Sequence, residues 1–192
     1  MQITAVDSEN NLFSVESVFA DDFVKEILST DWLSLPWRRQ QGQESWARRL
    51  IDETAIPWIG RWHQLLKQQW PEISRQLNMD LDHYMGTAFW LDEPGFTCGI
   101  HTDGMMPGSM QLIWQGTGTT FYWHKNSSTL RYQVPDVANT GYIMLHTNNQ
   151  TYQKLLWHAM LTPVPENTFR LTSYSWLKNN APTEKHINAY PK

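Results

Sequence analysis

The chain has 192 residues, 41% of them hydrophobic, with 15 Lys+Arg against 19 Asp+Glu and a formal net charge of −4. That length predicts one domain with a sizeable core of its own, and the lone cysteine, Cys98, excludes an intramolecular disulfide and a multi-cysteine zinc site. The acidic balance argues against a protein that binds nucleic acid by electrostatics.

In chain order, the opening MQITAVDSEN lacks the basic and apolar regions of a secretory signal, so a cytoplasmic, reducing location is expected. Phe19, Phe23 and Ile27 recur at i, i+4, i+8 and predict a helix over Ser17–Leu28. A second helix is expected over Glu44–Asp52. A third runs over Ile59–Trp70 with Ile59, Trp62 and Leu66 on one face, and Pro71 interrupts it and opens a short final helix ending near Leu77. Residues 1–82 hold 8 basic and 13 acidic side chains, against 7 and 6 in residues 83–192. The first part therefore reads as solvated helices and the second as a mostly neutral sheet.

From His83 onward, short runs are separated by Gly, Pro, Asn and Asp. Eight strands are predicted: His83–Leu91, Cys98–Asp103, Ser109–Trp114, Thr119–His124, Thr129–Val134, Thr140–Leu145, Leu155–Thr162 and Phe169–Leu177. The uncharged stretch Gly104–His124 is broken by Pro107, Gly108, Gly116 and Gly118, so no membrane-spanning helix is expected there. The expected fold is mainly β with N-terminal helices: a double-stranded β-helix, or jelly roll, braced by helices on one face. The chain is expected to form a single domain over 1–192, with a helical part at 1–82, a jelly-roll core at 83–177 and a tail at 178–192.

Three elements carry chemistry. In His101-Thr102-Asp103 the spacing of two sets an imidazole and a carboxylate on one strand face, two-thirds of a facial site for a divalent metal. His158, 55 residues further on, can supply a third ligand from a strand that a jelly roll brings alongside. Arg170-Leu171-Thr172 follows, and an arginine in an almost uncharged strand needs a partner. That partner is either a local acid, Glu166 or Asp136, or a ligand carboxylate gripped by the guanidinium and the hydroxyl two residues on.

Together, His-x-Asp, a distal His and Arg-x-Thr resemble the iron(II)- and 2-oxoglutarate-dependent oxygenases, in particular the prolyl-4-hydroxylase-like branch. The resemblance runs through PGFTCGIHTDGMMPGSMQLIW, GTGTTFYW, VANTGYIMLHT and LLWHAMLTPVPENTFRLTSYSW, covering about residues 83–177, while FSVESVFADDFVKEIL resembles the helix that usually precedes the family core. It implies that His101, Asp103 and His158 ligate Fe(II), and that Arg170 pairs with the distal carboxylate of 2-oxoglutarate, with Thr172 beside it. The implied reaction uses O2, releases succinate and CO2, and hydroxylates a C–H bond. Ascorbate is the further cofactor that the resemblance suggests.

The chain departs from the family pattern in two places. The 12-residue step from His158 to Arg170 is slightly long, and Tyr84, Phe89 and Trp90 all stand where a cosubstrate-touching Tyr is common. Lys125 rivals Arg170 for the distal carboxylate, and His146 rivals His158 as third ligand. Cys98 reads as a small core residue, and Trp32, Trp37 and Trp58 as candidates for a lid. The competing function is a non-catalytic, cupin-like jelly-roll protein that binds a metal or ligand. Nucleic-acid dealkylation is disfavoured, because Arg170 is followed by LTSYSWLK without a second Arg. Asp103 argues against a halogenase. The substrate classes left open are a protein or peptide side chain, an amino acid and a small metabolite, and oligomeric state is not readable.

Overall fold

The computed structural model describes residues 1–7, 12–39, 47–77, 81–103, 108–123, 125–145 and 156–179. The chain enters through β1 (Gln2–Asp7) and β2 (Leu12–Glu16), continues through α1 (Asp21–Leu28), and then forms a short pair, β3 (Trp37–Arg38) and β4 (Arg48–Ile51). After α2 (Ile59–Leu77) come β5 (Leu81–Asp92), β6 (Cys98–His101), β7 (Gly108–Gln115), β8 (Thr120–Tyr122), β9 (Leu130–Gln133), β10 (Thr140–Leu145), β11 (Trp157–Met160) and β12 (Arg170–Asn179). All eight strands expected after residue 82 are present, each within a few residues of the predicted bounds.

Among the described residues, every pairing is antiparallel. One sheet has the order β1-β2-β10-β7-β12-β5-β4-β3 and the other β6-β11-β8-β9. Alternation along the strands gives the large sheet two different faces. Met110, Leu112, Trp114, Ile143, Leu145 and Phe89 join the core beneath the helices. Ile113, Tyr142 and Met144 point the other way and pack with Phe121 and Leu156 of the small-sheet region. The functional side chains lie on this second face.

The helical layer rests on aromatic packing. Trp62 of α2, fully buried, lies 4.6 Å from the Phe19 ring, 5.0 Å from Phe89 and 5.6 Å from Trp114 between centroids. Its indole N–H donates to Thr87 Oγ1 at 2.9 Å, so the polar edge is satisfied as well.

Four expectations for the N-terminal part are corrected. The helix predicted over Ser17–Leu28 begins only at Asp21, because the preceding turn bonds to Asn139 instead: Ser17 N–H donates to Asn139 O at 3.0 Å and Phe19 N–H to Asn139 Oδ1 at 3.1 Å. Where a helix was expected over Glu44–Asp52, residues 48–51 form β4, paired with β5 through Arg48↔Asp92 and Leu50↔Trp90; residues 44–46 lie outside the described residues. Pro71 does not break the third helix. α2 continues through it, because Trp62, Leu66, Trp70, Ile73 and Leu77 form one buried stripe across the proline. Finally, β1 and β2 extend the large sheet, so the N-terminal part supplies sheet as well as helix.

Candidate active site

His101 closes β6 and His158 lies on β11 directly opposite it in the register, with the two rings 4.4 Å apart. Asp103 follows just past the end of β6. Its Oδ1 lies 3.5 Å from His101 Nε2 and its Oδ2 lies 3.4 Å from His158 Nε2. The candidate ligand atoms of all three residues fall within 4.8 Å of one another. Each imidazole has its Nδ1 on a backbone carbonyl, Gly99 O at 2.7 Å for His101 and Leu156 O at 3.0 Å for His158. Those bonds direct both Nε2 atoms inward and leave two nitrogens and one carboxylate facing a common point, a donor set that fits a divalent transition metal.

Asp103 also accepts a hydrogen bond from the Tyr174 hydroxyl at 2.5 Å. Burial works to raise the Asp103 pKa, but the neighbouring His158 charge and the bonds from His101, His158 and Tyr174 outweigh it and hold the carboxyl well below the usual range. For His101, burial opposes the charged form, yet the bond to Asp103 and the Cys98 and Gly99 contacts prevail, and its pKa is pushed up to about 10. Tyr174 moves upward through burial and through the charge of Asp103, which keeps it a neutral donor.

The triad opens on a cavity of about 470 Å³ whose walls include Arg48, Trp90, Tyr142, Arg170, Tyr174 and Trp176. Arg170 is only 2% exposed, a rare environment for a guanidinium. It donates from Nε to Thr117 O at 2.6 Å, from one terminal nitrogen to Asp92 Oδ2 at 2.8 Å, and from the other to Thr119 Oγ1 at 3.1 Å. Asp92, fully buried at the end of β5, also takes Arg48 through Nε at 2.5 Å and a terminal nitrogen at 3.0 Å. Two guanidiniums thus share one carboxylate. Arg170, Thr172 and Tyr174 share the cavity face of β12 by strand alternation. Thr172 is completely buried and, among the described residues, its hydroxyl has no hydrogen-bond partner. A surplus positive charge beside an unsatisfied hydroxyl fits a carboxylate ligand.

No family model and no curated protein matches the sequence. Solved structures match at the level of the fold. A prolyl-4-hydroxylase from Pseudomonas putida superposes with a TM-score of 0.60 at 16% identity, covering 89% of this chain and 94% of that one. An oxidoreductase of the 2OG-Fe(II) oxygenase family from Burkholderia pseudomallei gives 0.63 at 10% identity, over 88% and 85%. HygX from Streptomyces hygroscopicus, with nickel, 2-oxoglutarate and hygromycin B bound, gives 0.61 at 9% identity, over 88% and 83%. The chain has the fold of the 2-oxoglutarate oxygenases.

Within that oxygenase fold, the predicted site residues converge. His101, Asp103, His158 and Arg170 line one cavity, and Thr172 lies on the same strand as Arg170. Arg170 does have an acidic partner within the chain, but it is Asp92 and neither of the two acids expected: Asp136 accepts from Gly118 N–H at 2.6 Å, and Glu166 is exposed. Lys125 stands exposed in the turn after β8, away from the cavity walls. Of the three aromatic candidates before the His-x-Asp, Trp90 lines the cavity and Phe89 faces the helices, while the Tyr84 side chain and His146 lie outside the described residues.

Two readings are corrected. Trp32 and Trp58 are buried in the core under the helices and Trp37 packs against it, on the face opposite the cavity, so these residues form no lid. Cys98 is only half-buried and lines the cavity, with Sγ 3.4 Å from His101 Nδ1. Sequence reasoning missed Arg48, Asp92, Tyr142 and Tyr174. The alternation in Arg170-Leu171-Thr172-Ser173-Tyr174 could have flagged Tyr174, because it shares the face of Arg170.

Proposed function

We propose that this chain is an Fe(II)- and 2-oxoglutarate-dependent dioxygenase, a single domain built on a double-stranded β-helix, which hydroxylates an unactivated C–H bond. The observation that carries the reading is the convergence of an imidazole–carboxylate–imidazole triad and a buried arginine on one cavity. His101, Asp103 and His158 hold the metal through both Nε2 atoms and the carboxylate. Bound there, iron with 2-oxoglutarate and O2 supplies the oxidant that turns C–H into C–OH, with succinate and CO2 as co-products and ascorbate as an accessory reductant. Arg170 takes the distal carboxylate of the keto acid, and the Thr172 hydroxyl completes the grip. Tyr174 fixes the Asp103 carboxylate by donating to Oδ2 and so orients the ligand set.

The remaining walls bear on the substrate. Trp90 and Trp176, both half-buried, and Met160 present aromatic and apolar surface to the cavity. Such walls accept a side chain, amino acid or small metabolite and exclude bulk water around the reacting C–H. Prolyl-4-hydroxylase and HygX with hygromycin B, among the chains sharing the fold, are consistent with that range. The half-exposed free thiol of Cys98 beside His101 fits a reducing, cytoplasmic setting.

The deciding experiment adds Fe(II) and then 2-oxoglutarate to the metal-free protein without oxygen and records the visible metal-to-ligand charge-transfer band. A band that needs both additions and disappears in Asp103→Ala is the expected result. No band in folded wild type overturns the reading and favours the non-catalytic jelly-roll binder.

A further inference from the structure

The charges in the cavity do not balance around Arg170 alone. Three neighbouring strands, β12, β5 and β4, present Arg170, Asp92 and Arg48 in one row, since Asp92 is the register partner of both arginines. Both guanidiniums bond the same oxygen, Asp92 Oδ2, at 2.8 and 3.0 Å. A single, fully buried carboxylate therefore serves two permanent positive charges, one more than it can neutralise.

Arg48 is built in with some care. Its guanidinium lies over the Phe96 ring at 4.5 Å and the Trp90 ring at 5.3 Å, and both rings restrain it. Nε and one terminal nitrogen are used on Asp92, and among the described residues the second terminal nitrogen has no partner. Arg48 lines the cavity with Arg170. Burial depresses the Arg170 pKa more than Asp92 restores it, with Arg48 adding to the depression, so Arg170 is the less compensated of the two.

Resting on the oxygenase reading above, we infer that Arg48 is a second arginine of the cosubstrate site: Arg48 and Arg170, set at a common height by Asp92, form a two-guanidinium receptor for the distal carboxylate of a 2-oxo dicarboxylic acid. Asp92 acts as the positioning residue. It holds both forks and leaves the pair with one positive charge, the complement of one incoming carboxylate. The N-terminal strand β4 thereby becomes part of the cosubstrate site, although the motifs for metal and keto acid lie wholly after residue 97.

The test compares 2-oxoglutarate with 2-oxobutyrate, which chelates a metal identically but lacks the distal carboxylate. Binding of each to the Mn(II)-loaded protein is measured by calorimetry without oxygen, for wild type, Arg48→Met and Arg48→Lys. The expected result is a loss of about 10- to 100-fold for 2-oxoglutarate in Arg48→Met, a smaller loss in Arg48→Lys, and unchanged 2-oxobutyrate binding in both. Equal losses for the two acids would assign Arg48 a purely structural role and overturn the inference. So would unchanged 2-oxoglutarate binding. Should Arg48→Met fail to fold, the Arg48→Lys selectivity ratio decides alone. Wild type that binds neither acid defeats the oxygenase reading itself, which keeps the two failures distinct.

Discussion

The Asp103 carboxylate lies between two inward-facing imidazoles, and that arrangement controls how the site exchanges protons for metal. His101 keeps its proton up to about pH 10 in the metal-free protein, against 6.5 for an unperturbed imidazole. A metal can use Nε2 only after displacing that proton. Metal affinity is therefore expected to rise with pH up to about 10 and to level off above it, with roughly one proton released from His101 per metal taken up below that pH. Calorimetric titration of Mn(II) in buffers of different ionisation enthalpy measures this, and a pH-independent affinity would contradict it. The stability of the metal-free fold runs the other way. The His101 contribution is fully present below pH 6.5 and is lost as the pH rises through 10. Asp103, with its pKa depressed, contributes above its ordinary value of 3.8 and loses that contribution on acidification.

Residues in the motifs were readable because each has a local spacing rule. His101 and Asp103 are two apart, and Arg170 and Thr172 are two apart on one strand. Asp92 was not readable in the same way. In Asp92-Glu93-Pro94-Gly95 it looks like the start of a turn, and only the pairing of β5 with β4 and β12 makes it a buried counter-ion.

At the scale of elements, α2 shows packing overruling propensity. A proline inside a helix removes one backbone hydrogen bond and clashes with the preceding turn, at a cost of about 3 kcal/mol. The stripe Trp62–Leu66–Trp70–Ile73–Leu77 spans Pro71, and burying its last two members offsets that cost. Pro71→Ala is expected to stabilise the protein by about 1–2 kcal/mol, since the recovered bond exceeds the added freedom of the unfolded chain. An upward shift of the urea midpoint at constant slope is the measurement.

The strands after residue 82 were legible from alternation and from their punctuation by Gly, Pro, Asn and Asp. Gly141 of β10 shows what the pattern does not carry: a Cβ there would sit 1.8 Å from Gln111 O, so the close approach of β10 and β7 requires glycine. Strand β4 was unreadable for a related reason. Its four residues, Arg-Arg-Leu-Ile, have no clear period, and they are strand only because β5 offers an edge 40 to 44 residues further along.

Across the whole molecule, the large sheet separates two environments. One face is an aromatic core under α1 and α2, and the other carries the candidate site. Trp62→Ala is expected to cost about 3–5 kcal/mol by opening a cavity among Phe19, Phe89 and Trp114. Metal affinity of the folded fraction should stay unchanged, because no triad residue touches that layer. Chemical denaturation followed by Mn(II) titration below the transition separates the two effects, and a large fall in affinity would refute the separation of the faces.

The amino-acid sequence by itself determined the strand-rich half, the amphipathic helices, the His101–Asp103 pair and Arg-x-Thr, because each rests on periodicity or short-range spacing, whereas His158 entered through the family resemblance. Tertiary structure alone decided that β1–β4 join the sheet, that Trp32 and Trp58 belong to the core with Trp37 packed against it, and that Asp92 binds Arg48 and Arg170 together. Those outcomes depend on which strands become neighbours. Pairing across long sequence separations is set by the burial of whole faces, and no local pattern in the chain encodes it.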